Sequence, residues 1–126
     1  INILKKRNKA SLKKAMWRIF TLYIKARDKY TCVTCGRHDT GQGMGGGHYI
    51  AKGACGNDYY FSETNTNAQC TACNLHLEGN RPAYRKYIIK KYGKKVLKDI
   101  EMNYHKPNPD FPFEEKIEYY RNKINK

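Results

Sequence analysis

Four of the five cysteines fall into two pairs of identical spacing, Cys32-Val33-Thr34-Cys35 and Cys70-Thr71-Ala72-Cys73, with 34 residues between them. Each pair can present two thiolates from one tight turn, and four thiolates around one ion satisfy tetrahedral zinc. A closed four-sulfur site has no open position for water, so such a zinc is expected to be structural. The gap exceeds the 15 to 20 residues of a compact zinc ribbon, so the segment between the pairs is an insertion with its own purpose. Other groups with chemistry to offer crowd the same region: His48, Asn65, Asn74, His76, Glu78 and Asn80. Cys55 has no partner and is read as a small packing residue.

Charge frames this centre. The 126-residue chain carries net +14, but residues 1–30 hold +9, residues 31–80 hold −2 and residues 81–126 hold +7. A slightly acidic, cysteine-bearing centre between two basic arms suits a protein whose arms grip a polyanion, and nucleic acid is the expected partner. Paired CxxC spacing with an odd cysteine count favours a reducing compartment over a disulfide framework, so an intracellular location is expected. No apolar run approaches the roughly 20 residues that span a bilayer, and no signal peptide is recognisable. Because the chain starts at Ile1 inside a basic run, a natural start further upstream is expected.

The elements that must position these groups read as follows. From Ser11 as N-cap, Leu12, Met16, Ile19, Phe20, Tyr23 and Ile24 recur at helical spacing, with Lys13, Lys14, Arg18 and Lys25 on other faces. The helix should stop near Asp28 to Tyr30. The glycine-rich stretch to Gly47 reads as a loop, followed by short strands at His48 to Ala51 and Tyr59 to Phe61 forming a hairpin. A short helix is expected from Thr71 to Leu77, ending at Gly79. Another starts at Arg81-Pro82 and carries Tyr84, Tyr87, Ile88 and Tyr92 on one side. Gly93 breaks the chain before a helix with Val96, Leu97 and Ile100; an extended KPNPDFP linker precedes a last helix with Phe113, Ile117, Tyr120 and Ile124. The fold class is α+β, mostly helical, as a single domain over 1–126: a basic helix in 1–30, a zinc-bound core over 31–80 and basic helices over 81–126.

A histidine, then an asparagine before a CxxC pair, then an asparagine after it, resembles the order of HNH, or ββα-metal, nucleases. The runs CVTCG, GHYIAKGAC, YFSETNTNAQCTACNLHLEGN and RPAYRKYIIKKYG together resemble the NinG/Rap family of phage recombination endonucleases. The resemblance covers roughly residues 16–125. It implies a central zinc-stapled ββα-metal motif, and a structure-specific endonuclease cutting D-loops and four-way (Holliday) junctions in the cytoplasm of a bacterial host. Phosphodiester hydrolysis needs a base for water and a divalent cation for the phosphate. His48 is the candidate base. By analogy Asn65 fixes the loop and orients the histidine or the backbone beside it, and Asn74 is the candidate ligand of a catalytic Mg²⁺ or Mn²⁺. His76, about 200° from Asn74 around a regular helix, is a candidate phosphate contact. Glu78, four residues from Asn74, could add a carboxylate. The acidic or histidine ligand usual just before the base is replaced by Gly45, Gly46 and Gly47, leaving Asp39, Glu63, Glu78, His76 or bound water for that place.

Lys13, Lys14, Arg18, Arg81, Arg85, Lys86, Lys90, Lys91, Lys94 and Lys95 are the candidate phosphate contacts. The two-fold symmetry of a four-way junction leads to an expected homodimer, with the long amphipathic helices as interface or as internal core. Two other readings stand beside the nuclease of recombination: a noncatalytic zinc-stabilised DNA-binding module, and an HNH nuclease cutting ordinary duplexes.

Overall fold

The computed structural model describes residues 8–125, so residues 1–7 of the basic N-terminal arm lie outside the described residues. Helix α1 spans Lys9–Arg27 and is capped by Asn8, whose side-chain oxygen accepts from the Ser11 amide at 2.8 Å. The cap therefore falls three residues before the expected Ser11, because the asparagine oxygen reaches forward over the first turn to the Ser11 amide. Leu12, Met16, Phe20 and Ile24 form its buried stripe. That stripe packs on α5 (Phe113–Ile124) through Phe113, Ile117 and Tyr120, with Phe61 and Phe111 completing the cluster. The apolar faces of these two helices are thus used inside the chain. Phe111, within the expected linker, belongs to this core.

The sheet differs from the expected hairpin. Strand β1 is Met44–His48 and pairs antiparallel with β2, Thr66–Cys70, matching Met44 to Cys70 and His48 to Thr66. The glycine stretch is therefore a strand. Close packing demands the glycines: a Cβ on Gly46 would come within 2.9 Å of Thr21 on α1, and one on Gly47 within 2.9 Å of the Gln69 Cβ. Tyr59 and Tyr60 lie instead in the short helix α2, Asn57–Tyr60. After β2 the chain enters a π-helical turn, Ala72–His76, in place of the regular helix expected there.

Helix α3 (Arg81–Tyr92) has its proline in the first turn, and Gly93 at φ 97° separates it from α4 (Lys94–Asn103). A second core joins them: Tyr49, Tyr84, Ile88, Leu97 and Ile100. Several side-chain hydrogen bonds connect the helices to the sheet. Asp28, at the end of α1, accepts from the Ala68 amide at 2.8 Å, and the Tyr84 hydroxyl donates to the Gly47 carbonyl at 2.6 Å. The second contact holds the residue just before His48, and the first holds the β2 residue paired with Gly46. No helix among the described residues is long and apolar enough to cross a membrane.

Candidate metal centre and adjoining cleft

The four cysteines converge. Cys32, Cys35, Cys70 and Cys73 place their sulfurs within 4.8 Å of one another, with Cys35 and Cys70 Sγ 3.6 Å apart. A zinc tetrahedron with bonds of about 2.3 Å has sulfur–sulfur edges of about 3.8 Å, so the donor set fits that ion. Cys32 starts a tight knuckle in which its carbonyl accepts from the Gly36 amide and its amide donates to the Arg37 carbonyl, both at 2.8 Å. Gly36 takes φ 83° there, a left-handed value that favours glycine. The Val33 amide donates to the Ala68 carbonyl at 2.9 Å, tying the knuckle to β2.

Electrostatics at the sulfurs point the same way. Burial raises the Cys32 thiol, but the Thr34 hydroxyl and the backbone amides around it outweigh that and bring it to about 6. At Cys35 the backbone amide near Arg37 lowers the thiol, while burial and the other three sulfurs push it up to about 12. Four crowded sulfurs resist sharing negative charge until a cation balances it.

Beside this knot His48 ends β1 at 9% exposure. Its Nε2 lies 2.7 Å from the Tyr60 carbonyl oxygen, so Nε2 carries the proton and donates, and Nδ1 keeps its lone pair. The Trp17 indole stacks on the imidazole at 5.1 Å between centroids and 14° between planes. Burial, with Lys52 and Lys13 adding to it, lowers the imidazole to about 4 against the Tyr60 contact, which favours the charged form. The ring is neutral at physiological pH.

Asn65 is fully buried and does not line the cleft. Its side-chain oxygen accepts from the Ile50 amide at 2.9 Å and its nitrogen donates to the Tyr59 carbonyl at 3.0 Å. It thereby fastens the segment after His48 to the turn whose Tyr60 carbonyl holds the imidazole. Gln69 makes a parallel tie, donating to the Gly79 carbonyl at 2.8 Å and to the Thr34 hydroxyl at 3.2 Å.

His48 and Asn74 share a cleft of about 350 Å³ with Lys52, Leu75, Glu78 and Arg81. The π-helical turn, and the left-handed Glu78, Gly79 and Asn80 that follow it at φ 51°, 91° and 48°, bring Asn74 and Glu78 to one opening. His76 is exposed and is not among the residues lining it. Of the other acids considered for the cleft, Glu63 accepts from the Tyr23 and Tyr120 hydroxyls, and Asp39 accepts from the Gly41 amide. Neither lines the cleft, which leaves Glu78 as its carboxylate.

Of the candidate phosphate contacts, Arg81 lines the cleft and Lys13, Lys14 and Arg18 line a groove on α1. Arg85, Lys86, Lys90 and Lys91 are exposed along α3, and Lys94 and Lys95 on α4; Arg85 lies 3.7 Å from Glu101. Sequence reasoning missed Trp17 and the Tyr60 carbonyl. An indole flanked by Lys13, Lys14 and Arg18, off the buried stripe, was the signal for the first; a backbone carbonyl leaves no residue-type signal.

The fold and site define a basic, mostly helical α+β protein with a small two-stranded sheet and a four-cysteine centre that could hold a metal such as zinc. The family model described as Bacteriophage Lambda NinG protein matches residues 2–126, and the chain belongs to that family. Protein ninG of Escherichia phage lambda is 33% identical over 85 residues, covering 67% of this chain and 41% of that protein. Protein ninG of Salmonella phage P22 is 32% identical over 83 residues, covering 65% and 40%. The chain spans about two fifths of the length of these relatives. No solved structure matches it.

Proposed function

We propose that the chain is an HNH-type, metal-dependent DNA endonuclease that cuts branched recombination intermediates such as D-loops and four-way junctions inside a bacterial host. The observation that carries this reading is the imidazole of His48: its Nε2 proton is committed to the Tyr60 carbonyl, and the ring borders a cleft also lined by Asn74. An imidazole so held has one free lone pair, at Nδ1, to take a proton from water. Burial is the main cause of its lowered basicity, with Lys52 and Lys13 adding to it; a phosphate bound beside Lys52 would offset part of that charge contribution.

Asn74 and Glu78 are the oxygen donors in the cleft that would hold a magnesium or manganese ion. When bound, that ion would neutralise charge on the scissile phosphate and the leaving oxygen. Lys52 and Arg81 line the same cleft and would hold the flanking phosphates. The cysteine-bound zinc would fix the two walls of the cleft without entering the reaction.

The glycines at 45–47, in place of a further ligand, favour a second reading as a noncatalytic zinc-stabilised DNA-binding module. End-labelled four-way junctions, flaps and linear duplexes, each incubated with Mg²⁺ or Mn²⁺, separate the readings. Cleavage confined to branched substrates is expected. Junction binding without cleavage supports the module, and equal cutting of linear duplex supports an ordinary duplex nuclease.

A further inference from the structure

A second opening lies against His48, on the α1 side. It is a groove of about 610 Å³ lined by Ala10, Lys13, Lys14, Trp17, Arg18 and Tyr60. Among the described residues, three cations and two aromatic rings line it, and no carboxylate does. The Trp17 and Tyr60 rings are half-buried and meet edge to face at 5.4 Å, while the Lys13 ammonium sits 4.2 Å above the Tyr60 ring. Both rings also touch the histidine, Trp17 at 5.1 Å and Tyr60 at 4.9 Å between centroids. The imidazole that lines the cleft therefore packs against the two rings that line the groove.

Aromatic rings beside a line of cations suit a nucleobase with its phosphate: the base loses water against the rings and the phosphate meets the cations. A base inside a duplex is already stacked on both faces and cannot reach the rings. Only a base freed from its pair can. We propose that this groove takes one unpaired deoxynucleotide of the DNA strand, its base against Trp17 and Tyr60 and its phosphate against Lys13, Lys14 and Arg18. The proposal rests on the DNA-nuclease reading and deepens it: the unpaired nucleotide at a branch point becomes the feature that places the neighbouring phosphate at His48.

Trp17 is the one tryptophan of the chain, so its fluorescence reports stacking directly. The probes are a thymidylate dodecamer, an abasic dodecamer of equal charge and a blunt duplex, titrated without added divalent cation. Thymidylate should quench the emission strongly, whereas the abasic strand and the duplex should bind with little quenching. Tyr60→Leu should weaken thymidylate binding about 10-fold and leave abasic binding unchanged. Equal quenching by thymidylate and abasic strands, no quenching by either, or an equal loss for both in Tyr60→Leu would overturn the proposal. If Tyr60→Leu loses its helical circular dichroism, the comparison of probes on the wild type decides alone. The two readings fail separately: a protein that cuts junctions but ignores bases loses the groove, and one quenched by thymidylate that cuts nothing loses the nuclease.

Discussion

His48 is held from three directions: the indole of Trp17 covers one face, the Tyr60 carbonyl takes the Nε2 proton, and the ring of Tyr60 leans on it at 4.9 Å. This fixes both the orientation and the tautomer of the group proposed to act on water. His48→Ala should lower junction cleavage at least about 100-fold in single-turnover assays, with zinc content and junction affinity kept. Cutting at the wild-type rate would remove His48 from the base role. The same burial gives a stability signature. Its folded value near 4 lies below the ordinary 6.5, so between those values the unfolded chain takes up a proton that the folded chain refuses. Stability should therefore fall as pH drops through that window and receive no such change above it. Urea midpoints at pH 7 and pH 5 should show about 2 kcal/mol more loss in the wild type than in His48→Gln. An equal loss in both proteins would contradict the burial account.

At the scale of elements, β1 is the least ordinary piece, a strand of three consecutive glycines wedged between α1 and β2. Gly47→Ala should cost about 1 to 3 kcal/mol, because its methyl would overlap Gln69. Gly45→Ala, with nothing within 4 Å of its Cβ, should stay within about 0.5 kcal/mol. Similar urea midpoints for the two variants would contradict this packing. The glycines also explain what was legible. Helices α1, α3, α4 and α5 showed in the sequence because Leu12, Met16, Phe20 and Ile24, or Tyr84 and Ile88, repeat with the helical period. The strands did not: β1 has almost no side chains to alternate, and all five positions of β2 are buried, including polar Thr66, Asn67 and Gln69. Aromatic Tyr59 to Phe61 imitated a strand, but the backbone after Gly56 closes a helical turn instead. The convergence of the cysteine quartet was legible because two equal spacings suit one tetrahedral donor set. The convergence of His48 and Asn74 was readable only as an order of residues; Trp17 and the Tyr60 carbonyl reach the site through tertiary packing, which no spacing encodes.

Across the whole molecule, two apolar clusters, one between α1 and α5 and one around α3 and α4, flank a thin centre whose own cluster is built largely from the converging cysteines. Stability of that centre should depend on the ion. Chelation, or Cys70→Ser, should remove amide-exchange protection from β1, β2 and Ala72–His76 before it touches α1 and α5; unchanged protection there would show that the metal is dispensable. Since the stripes of α1 and α5 face each other, a homodimer on a four-way junction would have to form through other surfaces. On the proposed function, the exposed cations of α1, α3 and α4 would supply a sequence-independent grip on DNA. The proposed nuclease role of the cleft is tested most directly by where a divalent ion other than zinc settles. Anomalous scattering from crystals soaked in Mn²⁺ should place it in the cleft against the Asn74 side-chain oxygen, with His48 Nδ1 facing the same space. Manganese bound elsewhere, with the cleft empty at saturating concentration, would contradict it.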